Sequence, residues 1–193
     1  MEQTLILVKP DGVQRSLNGA IISRLETVGL KLVAIKMVQA TREQADTHYA
    51  LTEDWMKMVF EKSKAKYESQ GKAFEFTDHV AYGTSIKNGL VEFLCAAPVV
   101  AAIFEGEQAV SLVRKIVGAT EPASSAPGTL RGDYCLDTYA LSNAQNRPIR
   151  NLIHASGTVA EAEFEKKIWF RQDEIFAINA AIDPVQYDEK RFK

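Results

Sequence analysis

Two short apolar runs set the strongest limit on what this chain can fold into. Residues 4–8 (TLILV) and 98–104 (PVVAAIF) have the length of buried strands and are too short for buried helices. Residues 30–39 (LKLVAIKMVQ) alternate apolar and polar side chains, which predicts a half-buried strand. A fourth strand is predicted at residues 134–136 (YCL). The chain therefore needs a small sheet as its centre.

Helical patterns fill the intervals between these strands. Thr41 with Gln44, and Thr158 with Glu161, have the spacing of a capping box at a helix start. Two strand–helix–strand units with helices on one face of a four-stranded sheet predict an α+β sandwich. The helical segments predicted in this way are residues 18–27, 41–49, 55–70, 90–95, 108–117 and 158–169.

Length, charge and cysteine use narrow the class of protein. A chain of 193 residues with a formal net charge of −2 predicts one domain without a basic footprint for nucleic acid. No apolar run is long enough to span a bilayer, and Met1 to Gln3 lead straight into a strand, so no signal peptide is predicted. Cys95 and Cys135 favour two buried thiols in a reducing cytoplasm over a disulfide.

Residues 151–156 (NLIHAS) form the most informative polar stretch. His154 is predicted in a loop just before a helix, and Glu165 is about two turns into that helix, so its carboxylate could fold back toward the ring. A carboxylate bonded to one imidazole nitrogen fixes the tautomer and leaves the other nitrogen free to attack. The alternative is a buried structural histidine, which is the commoner case for a lone histidine.

Several groups suited to phosphate leave strand ends or loops. Arginine offers a planar fork to phosphate oxygens and lysine offers a point charge. The sequence has neither a Walker loop nor a GxGxxG motif, so any polyphosphate site is of another kind, with histidine attack as the chemistry. Each arginine could instead be a surface ion-pair partner. The candidate residues are Lys9, Tyr49, Arg114, Thr120, Arg131, Asn151, His154 and Ser156.

The two other histidines are expected to be less informative. His48 has no acidic or cysteine partner at metal spacing, and it is predicted to lie on the surface. His79 is predicted at the surface as well. Residues 118–130, rich in small residues and proline, form a loop whose length favours a functional role.

The chain resembles the nucleoside diphosphate kinase family. The motifs KPDGVQR and NxxHxS are together highly specific, and the matching pieces keep the order of the family over nearly the whole chain. That resemblance implies a ferredoxin-like βαββαβ fold with added helices. The matching pieces include residues 4–15 (TLILVKPDGVQR), 89–106 (GLVEFLCAAPVVAAIFEG), 127–134 (PGTLRGDY) and 151–156 (NLIHAS).

The resemblance also implies an activity. It predicts transfer of the terminal phosphate of a nucleoside triphosphate, with ATP as the main donor, to a nucleoside diphosphate. His154 would carry that phosphate on its pros nitrogen, with Glu165 and Ser156 supporting the ring and Tyr49 close by. Mg²⁺ would be held largely by the nucleotide phosphates rather than by the protein.

The nucleotide contacts follow from the same resemblance. Lys9 and Asn151 would hold the sugar hydroxyls. Arg114, Thr120 and Arg131 would clamp the phosphates.

The base contact is less well defined, because residues 52–88 include an insertion relative to the common short form of the family. Leu90 resembles an apolar base contact, and Ile86 falls near the position of the stacking aromatic in the family. Phe60 and Tyr82 are the alternatives for that role.

Other departures concern assembly. A second insertion is predicted at residues 138–150, and residues 175–193 form a C-terminal tail. Ala155 stands where glycine is usual, and Gly157 where an acid is usual. The resemblance implies a homo-oligomer, a hexamer or a tetramer built from dimers.

Two other functions compete with this one. A ferredoxin-like binding module for RNA would carry paired aromatic residues on its central strands. Residues 4–8 contain no aromatic residue and residues 98–104 only one, so nucleic acid is not expected as the main partner. An inactive relative is disfavoured because every candidate catalytic residue is present.

Overall fold

A four-stranded antiparallel sheet lies at the centre of the molecule. The computed structural model describes residues 1–69, 71, 73–181 and 183–187. The strands β1 (Glu2–Val8), β2 (Lys31–Val38), β3 (Val99–Gly106) and β4 (Ile153–Ala155) lie in the order β2-β3-β1-β4. With helices joining β1 to β2 and β3 to β4, this is the predicted ferredoxin-like βαββαβ topology.

The helices follow most of the predicted intervals. Thr41 and Gln44 form the predicted capping box. The Thr158 hydroxyl caps its helix. The Glu161 carboxylate accepts from the Gly157 N–H at 2.8 Å, so the second predicted capping box does not form. The helices are α1 (Pro10–Gln14), α2 (Asn18–Thr27), α3 (Arg42–His48), α4 (Glu53–Ser69), α5 (His79–Cys95), α6 (Ala109–Val117), α7 (Leu130–Tyr134), α8 (Tyr139–Ala144), α9 (Val159–Trp169) and α10 (Asp183–Tyr187), with 3-10 turns at Pro122–Ser124 and Gln172–Glu174.

Helices cover both faces of the sheet, so the prediction of helices on one face only is wrong. Along β1, Ile6 and Val8 belong to a core formed with α2 and α6. Leu5 and Leu7 point the opposite way, into a core formed with α3, α5 and α9. The continuous apolar sequence of β1 explains this, because a strand buried on both faces cannot leave either side to water.

The fourth strand is not where it was predicted. Tyr134 ends α7, which begins where the Thr129 hydroxyl accepts from the Gly132 N–H, and Leu136 is 84% exposed. The edge of the sheet beside β1 is taken instead by β4, in which His154 is paired with Leu7. A strand of three residues is too short to show an alternating pattern in the sequence.

The first insertion folds as α4 and the beginning of α5, which pack together. Phe60 lies edge-on to Phe74 and Tyr82, with ring centroids 5.3 and 6.1 Å apart. The helix predicted at residues 90–95 is the end of α5, which begins at His79 rather than at residue 90 because Asp78 caps it at the Ala81 N–H. The predicted end of α4 at residue 70 lies outside the described residues.

The second insertion is held by one carboxylate. Asp137 accepts from both terminal nitrogens of Arg147, at 2.6 and 3.0 Å, and from the Arg150 N–H at 2.7 Å. In the described part of the tail, the Phe176 N–H donates to the Val33 carbonyl at 2.9 Å. The tail prediction also covers residues 182 and 188–193, which lie outside the described residues. No described helix has the length and apolar character that crossing a membrane requires.

Candidate active site

A histidine, a glutamate and a serine form a hydrogen-bonded group at the end of β4. His154 Nε2 lies 3.0 Å from Glu165 Oε2, and the Ser156 hydroxyl donates to the same oxygen at 2.5 Å. The predicted approach of Glu165 to the ring is therefore present, but His154 lies on β4 rather than in a loop. Pairing with β1 fixes the backbone of the histidine, so the ring is held from two sides.

These contacts decide which nitrogen of the ring is available. Glu165 accepts the Nε2 proton, and this leaves the lone pair of Nδ1 free. Within the described ranges, Nδ1 of His154 has no hydrogen-bond partner, and 19% of the side chain is exposed. An oriented imidazole with one open nitrogen is the arrangement that nucleophilic attack requires.

The surroundings keep this ring uncharged. Burial, and then the positive charges of Lys9, Arg131 and Arg114, lower the pKa of His154 from 6.5 to about 3. Burial also raises the pKa of Glu165, against the opposing influence of His48 and of the Ser156 hydroxyl. A neutral imidazole keeps the lone pair that attack on an electrophile needs.

The lowered pKa values of two histidines make the free energy of unfolding depend on pH. The pKa of His48, like that of His154, is lowered to about 3 in the folded chain, mainly by burial. Between pH 6.5 and 3 the unfolded chain therefore binds more protons, so stability falls as pH falls. We expect a loss of about 2 kcal/mol between pH 6.5 and 5.5, measured by urea unfolding. His48→Asn should halve the slope; an unchanged slope would contradict this account.

His48 is the site residue that the sequence reasoning missed. The prediction of a surface position is wrong, because its side chain is 0% exposed and its ring centroid lies 4.4 Å from that of His154. The Trp169 Nε1–H donates to His48 Nδ1 at 3.4 Å. The signal available was helical spacing, since His48 is one turn after Ala45, which is also fully buried on α3.

A second polar chain links Lys9 to the loop before β4. The Lys9 ammonium donates to Asn151 Oδ1 at 2.8 Å, and the Asn151 amide donates to the Thr120 carbonyl at 2.9 Å. Burial, and then the Arg131 charge, lower the pKa of Lys9 to about 8, while Asp11 acts in the opposite direction. The structure therefore brings Lys9, Asn151 and Thr120 together.

The backbone between Asn151 and His154 adopts an uncommon conformation. Leu152 has φ of 70°, a left-handed conformation that costs a leucine about 1–2 kcal/mol. Asp11 accepts from the Leu152 N–H at 3.0 Å, and the Lys9 N–H donates to the Leu152 carbonyl at 2.9 Å. The KPDG segment thus stabilises the bend that aims Asn151 and His154.

Arg131 is buried, and most of its donors are occupied by the backbone. Its Nε–H donates to the Asn151 carbonyl at 3.1 Å, Nη1 to the carbonyls of residues 118 and 119, and Nη2 to the Ile153 carbonyl at 2.6 Å. Four of its five N–H groups are used, and one on Nη2 is left for a ligand. This arginine, on α7, joins the backbone at residues 118–119 to the segment 151–153 that leads into His154.

Three further candidates present groups without partners. Arg114 and Thr120 are exposed, and the Arg114 guanidinium makes no hydrogen bond or ion pair with any residue that the structure describes. The Tyr49 hydroxyl is buried and has no hydrogen-bond partner in the part of the chain that the structure describes. Burial raises the pKa of Tyr49, so this hydroxyl is a neutral donor that a ligand oxygen could satisfy.

The candidates for the base contact lie on the two helices of the first insertion. Ile86 and Leu90 are half-buried and one turn apart on α5. Phe60 is 8% exposed and is packed within the aromatic cluster, so its ring face is not open for stacking. The Tyr82 hydroxyl donates to Ser63 at 2.8 Å. The Tyr82 ring also lies within the aromatic cluster, 5.1 Å from that of Phe74 and 4.9 Å from that of Phe76. Ile86 is therefore the sequence candidate that lies outside this cluster.

Positive charge near His154 makes the site suited to a polyanion. The charges of Lys9, Arg114 and Arg131 each lower the pKa of His154, so all three act on the ring. Few ion pairs neutralise these charges, because the Lys9 ammonium donates to an amide oxygen and the Arg131 guanidinium donates to backbone carbonyls. A phosphate beside Nδ1 would meet unneutralised positive charge.

Comparison with known proteins agrees with this geometry. The sequence model of the family described as nucleoside diphosphate kinase matches residues 2–77 and 73–175. A nucleoside diphosphate kinase of Pyrobaculum aerophilum is 41% identical over 91% of this chain and 98% of its own length. One of Archaeoglobus fulgidus is 39% identical over 98% of this chain and all of its own.

Solved structures show the same relationship. The NDP kinase of Pyrobaculum aerophilum superposes with a TM-score of 0.87 at 40% identity, over 91% of this chain and 99% of that one. A nucleoside-diphosphate kinase of Borrelia burgdorferi, described as a transition state mimic with bound vanadate and ADP, gives 0.79 at 36% identity over 95% of each chain. This chain belongs to the nucleoside diphosphate kinase family.

Proposed function

We propose that this chain moves the terminal phosphate of a nucleoside triphosphate to a nucleoside diphosphate, and that His154 carries the phosphate in between. The observation that carries this proposal is the His154 ring, tied at Nε2 to Glu165 at 3.0 Å and open at Nδ1. The relative from Borrelia burgdorferi, solved with vanadate and ADP as a transition state mimic, supports transfer between phosphate groups.

The transfer is written in two half-reactions. The Nδ1 lone pair of His154 forms a bond to the terminal phosphorus, and the bond from that phosphorus to its bridging oxygen breaks, with its electrons leaving on the diphosphate. The Nε2 proton stays in place, because Glu165 stabilises the positive charge that the ring gains. A second diphosphate then attacks the phosphohistidine and restores the free ring.

The surrounding residues bind and orient the nucleotide. We propose that Arg114, Thr120 and Tyr49 contact the phosphates, because each has a donor free of protein partners or exposed to solvent. Arg131 has one N–H left, so we assign it the positioning of the loops and at most one phosphate contact. Lys9 and Asn151 remain our candidates for the sugar hydroxyls.

Magnesium fits this site as a companion of the nucleotide. Mg²⁺ prefers oxygen ligands, whereas the cluster of possible metal ligands at the site contains two imidazoles. We propose that the nucleotide phosphates hold it and that it neutralises part of their charge when bound. Arg114 and the one free N–H of Arg131 then contact the phosphate oxygens that remain.

The direct test is the mass of the intact chain after incubation with ATP and Mg²⁺ without an acceptor. We expect the addition of one phosphate, which disappears when any nucleoside diphosphate is added. Acid should remove it as well, since a phosphorus–nitrogen bond is acid-labile. An unchanged mass with fully active protein would exclude the phosphoenzyme.

The exposed arginine should act on the reaction without acting on the fold. We expect Arg114→Ala to lower kcat/KM by roughly 100-fold, because a free guanidinium stabilises charge that develops in the transition state. Steady-state kinetics with ATP and a diphosphate measures this loss. Lys115→Ala, at the neighbouring exposed position of α6, is the matched control. Equal effects of the two changes would contradict a specific contact.

Further proposals concern the contact with the base and the assembly of the chain. We propose that Ile86 and Leu90 provide the apolar contact to the base. The exposed Ile35 (47%) and Met37 (60%) on the edge strand β2 support a homo-oligomer built from dimers, which light scattering would test. The cytoplasmic location stays a prediction.

A further inference from the structure

Two electron-rich atoms lie close together in the interior of the site, and one of them already accepts a hydrogen bond. The Trp169 N–H can only donate, so His48 Nδ1 accepts and the proton of that ring lies on Nε2. Nδ1 also lies 3.9 Å from Glu165 Oε1. The hydrogen bonds from His154 and Ser156 both go to Oε2 of Glu165. Among the described residues, no donor forms a hydrogen bond with Oε1.

A third electron-rich atom lies beside this pair. One ligand atom from each of His48, His154 and Glu165 lies within 4.8 Å of the others. The three residues come from α3, β4 and α9, all of which pack into the core, so the cluster is held in place. His48 Nε2 is itself buried, and no residue among those described forms a hydrogen bond with it.

We propose that this cluster binds Zn²⁺ and that the bound zinc switches the active site off. Two imidazoles and one carboxylate, with a fourth position open, are a known ligand set for zinc. Mg²⁺ is a poor competitor, because it demands oxygen ligands and near-octahedral geometry. The partial exposure of His154 provides the route by which water or an ion reaches the fourth position.

Zinc binding would remove the nucleophile without removing a proton. The ion takes the Nε2 lone pair of His154, so the ring proton moves from Nε2 to Nδ1. An Nδ1 that carries a proton has no lone pair for attack on phosphorus. This inhibition rests on the proposed function, whereas zinc binding itself does not.

The first test is a titration of the full chain with ZnCl₂ against a chromogenic chelator. We expect one zinc per chain, and a loss of affinity of roughly tenfold or more in His48→Asn. His79→Asn is the matched control, because His79, at the start of α5, belongs to no part of the cluster. If His48→Asn binds as tightly as the wild type, the site is overturned.

A second variant should act in the opposite direction. Trp169→Phe removes the N–H that competes for His48 Nδ1 while keeping an aromatic ring in the core. We expect zinc to bind roughly two- to tenfold more tightly, the range of one neutral hydrogen bond. Unchanged or weaker binding, in a variant whose thermal unfolding shows a folded chain, would overturn the assignment of the Nδ1 ligand.

The inhibition is tested by intact mass. Protein loaded with zinc should acquire no phosphate from ATP and Mg²⁺, and a chelator that prefers zinc to magnesium should restore the addition. Phosphorylation at full zinc occupancy would overturn the inhibition. Protein that binds zinc at this cluster but is never phosphorylated, even without zinc, would refute the proposed function and leave the metal site standing.

Discussion

His154→Ala should abolish phosphate transfer while leaving the fold intact. We expect the rate to fall by a factor on the order of 10⁴ or more, because no other described imidazole offers an open nitrogen beside the three cations. The measurement is kcat with ATP and a diphosphate, together with the intact mass after ATP alone. Stability should change little, since the Ser156 hydroxyl still bonds Glu165.

His79→Ala is the matched control for this change. His79 lies at the surface end of α5, with 30% of its side chain exposed, so its removal should leave both the rate and the phosphate addition unchanged. If His154→Ala retained the wild-type rate, phosphate would have to pass directly between nucleotides or through another residue. A label retained on the variant would identify that residue by peptide mapping.

Arg131→Met should lower the free energy of unfolding, and this loss should exceed the effect of losing any single contact with the substrate. The change leaves four backbone carbonyls around the buried side chain without their donor. We expect the free energy of unfolding to fall by about 3–5 kcal/mol, the range for removing one partner of a buried charged group. Urea unfolding measures this loss, and activity should fall with it because the loops around His154 separate.

Two further variants separate structure from charge at this position. Arg131→Lys keeps the positive charge but has three donors at most, so it should recover part of the stability only. Arg114→Met, at an exposed arginine, should change stability by no more than about 0.5 kcal/mol. If Arg131→Met and Arg114→Met were equally stable, the hydrogen bonds to the carbonyls would carry no net free energy.

Local patterns predicted the elements whose signals are local. The strands at residues 4–8, 30–39 and 98–104 and the helix at 18–27 could be predicted because the spacing of their apolar residues repeats. β4 could not, since three residues show no period, and its position depends on pairing with β1 far away in the chain. The same applies to the residues that bond Arg131, which are loop carbonyls with no sequence signature.

The candidate site likewise contains residues that the sequence indicated and residues that only tertiary contacts reveal. The approach of Glu165 to His154 followed from helical spacing. The other polar candidates were found at strand ends and in loops, and family resemblance supplied their roles and the base contacts. His48 was missed because metal spacing was sought along the chain, whereas its partners, His154 and Glu165, are neighbours only in space. The use of Arg131 as a support for two backbone segments likewise depends on tertiary contacts that no motif contains.

The pairing of β4 with β1 has a consequence for how activity appears as the chain is made. His154 lies beside Leu7, and Glu165 follows later still, so the reactive group needs both early and late parts of the chain. Closing so long a loop is slow, and contacts of high sequence separation form late in folding. A nascent chain should thus stay inert until α9 has left the ribosome. During refolding, the gain of phosphate from ATP would then report the arrival of the last strand.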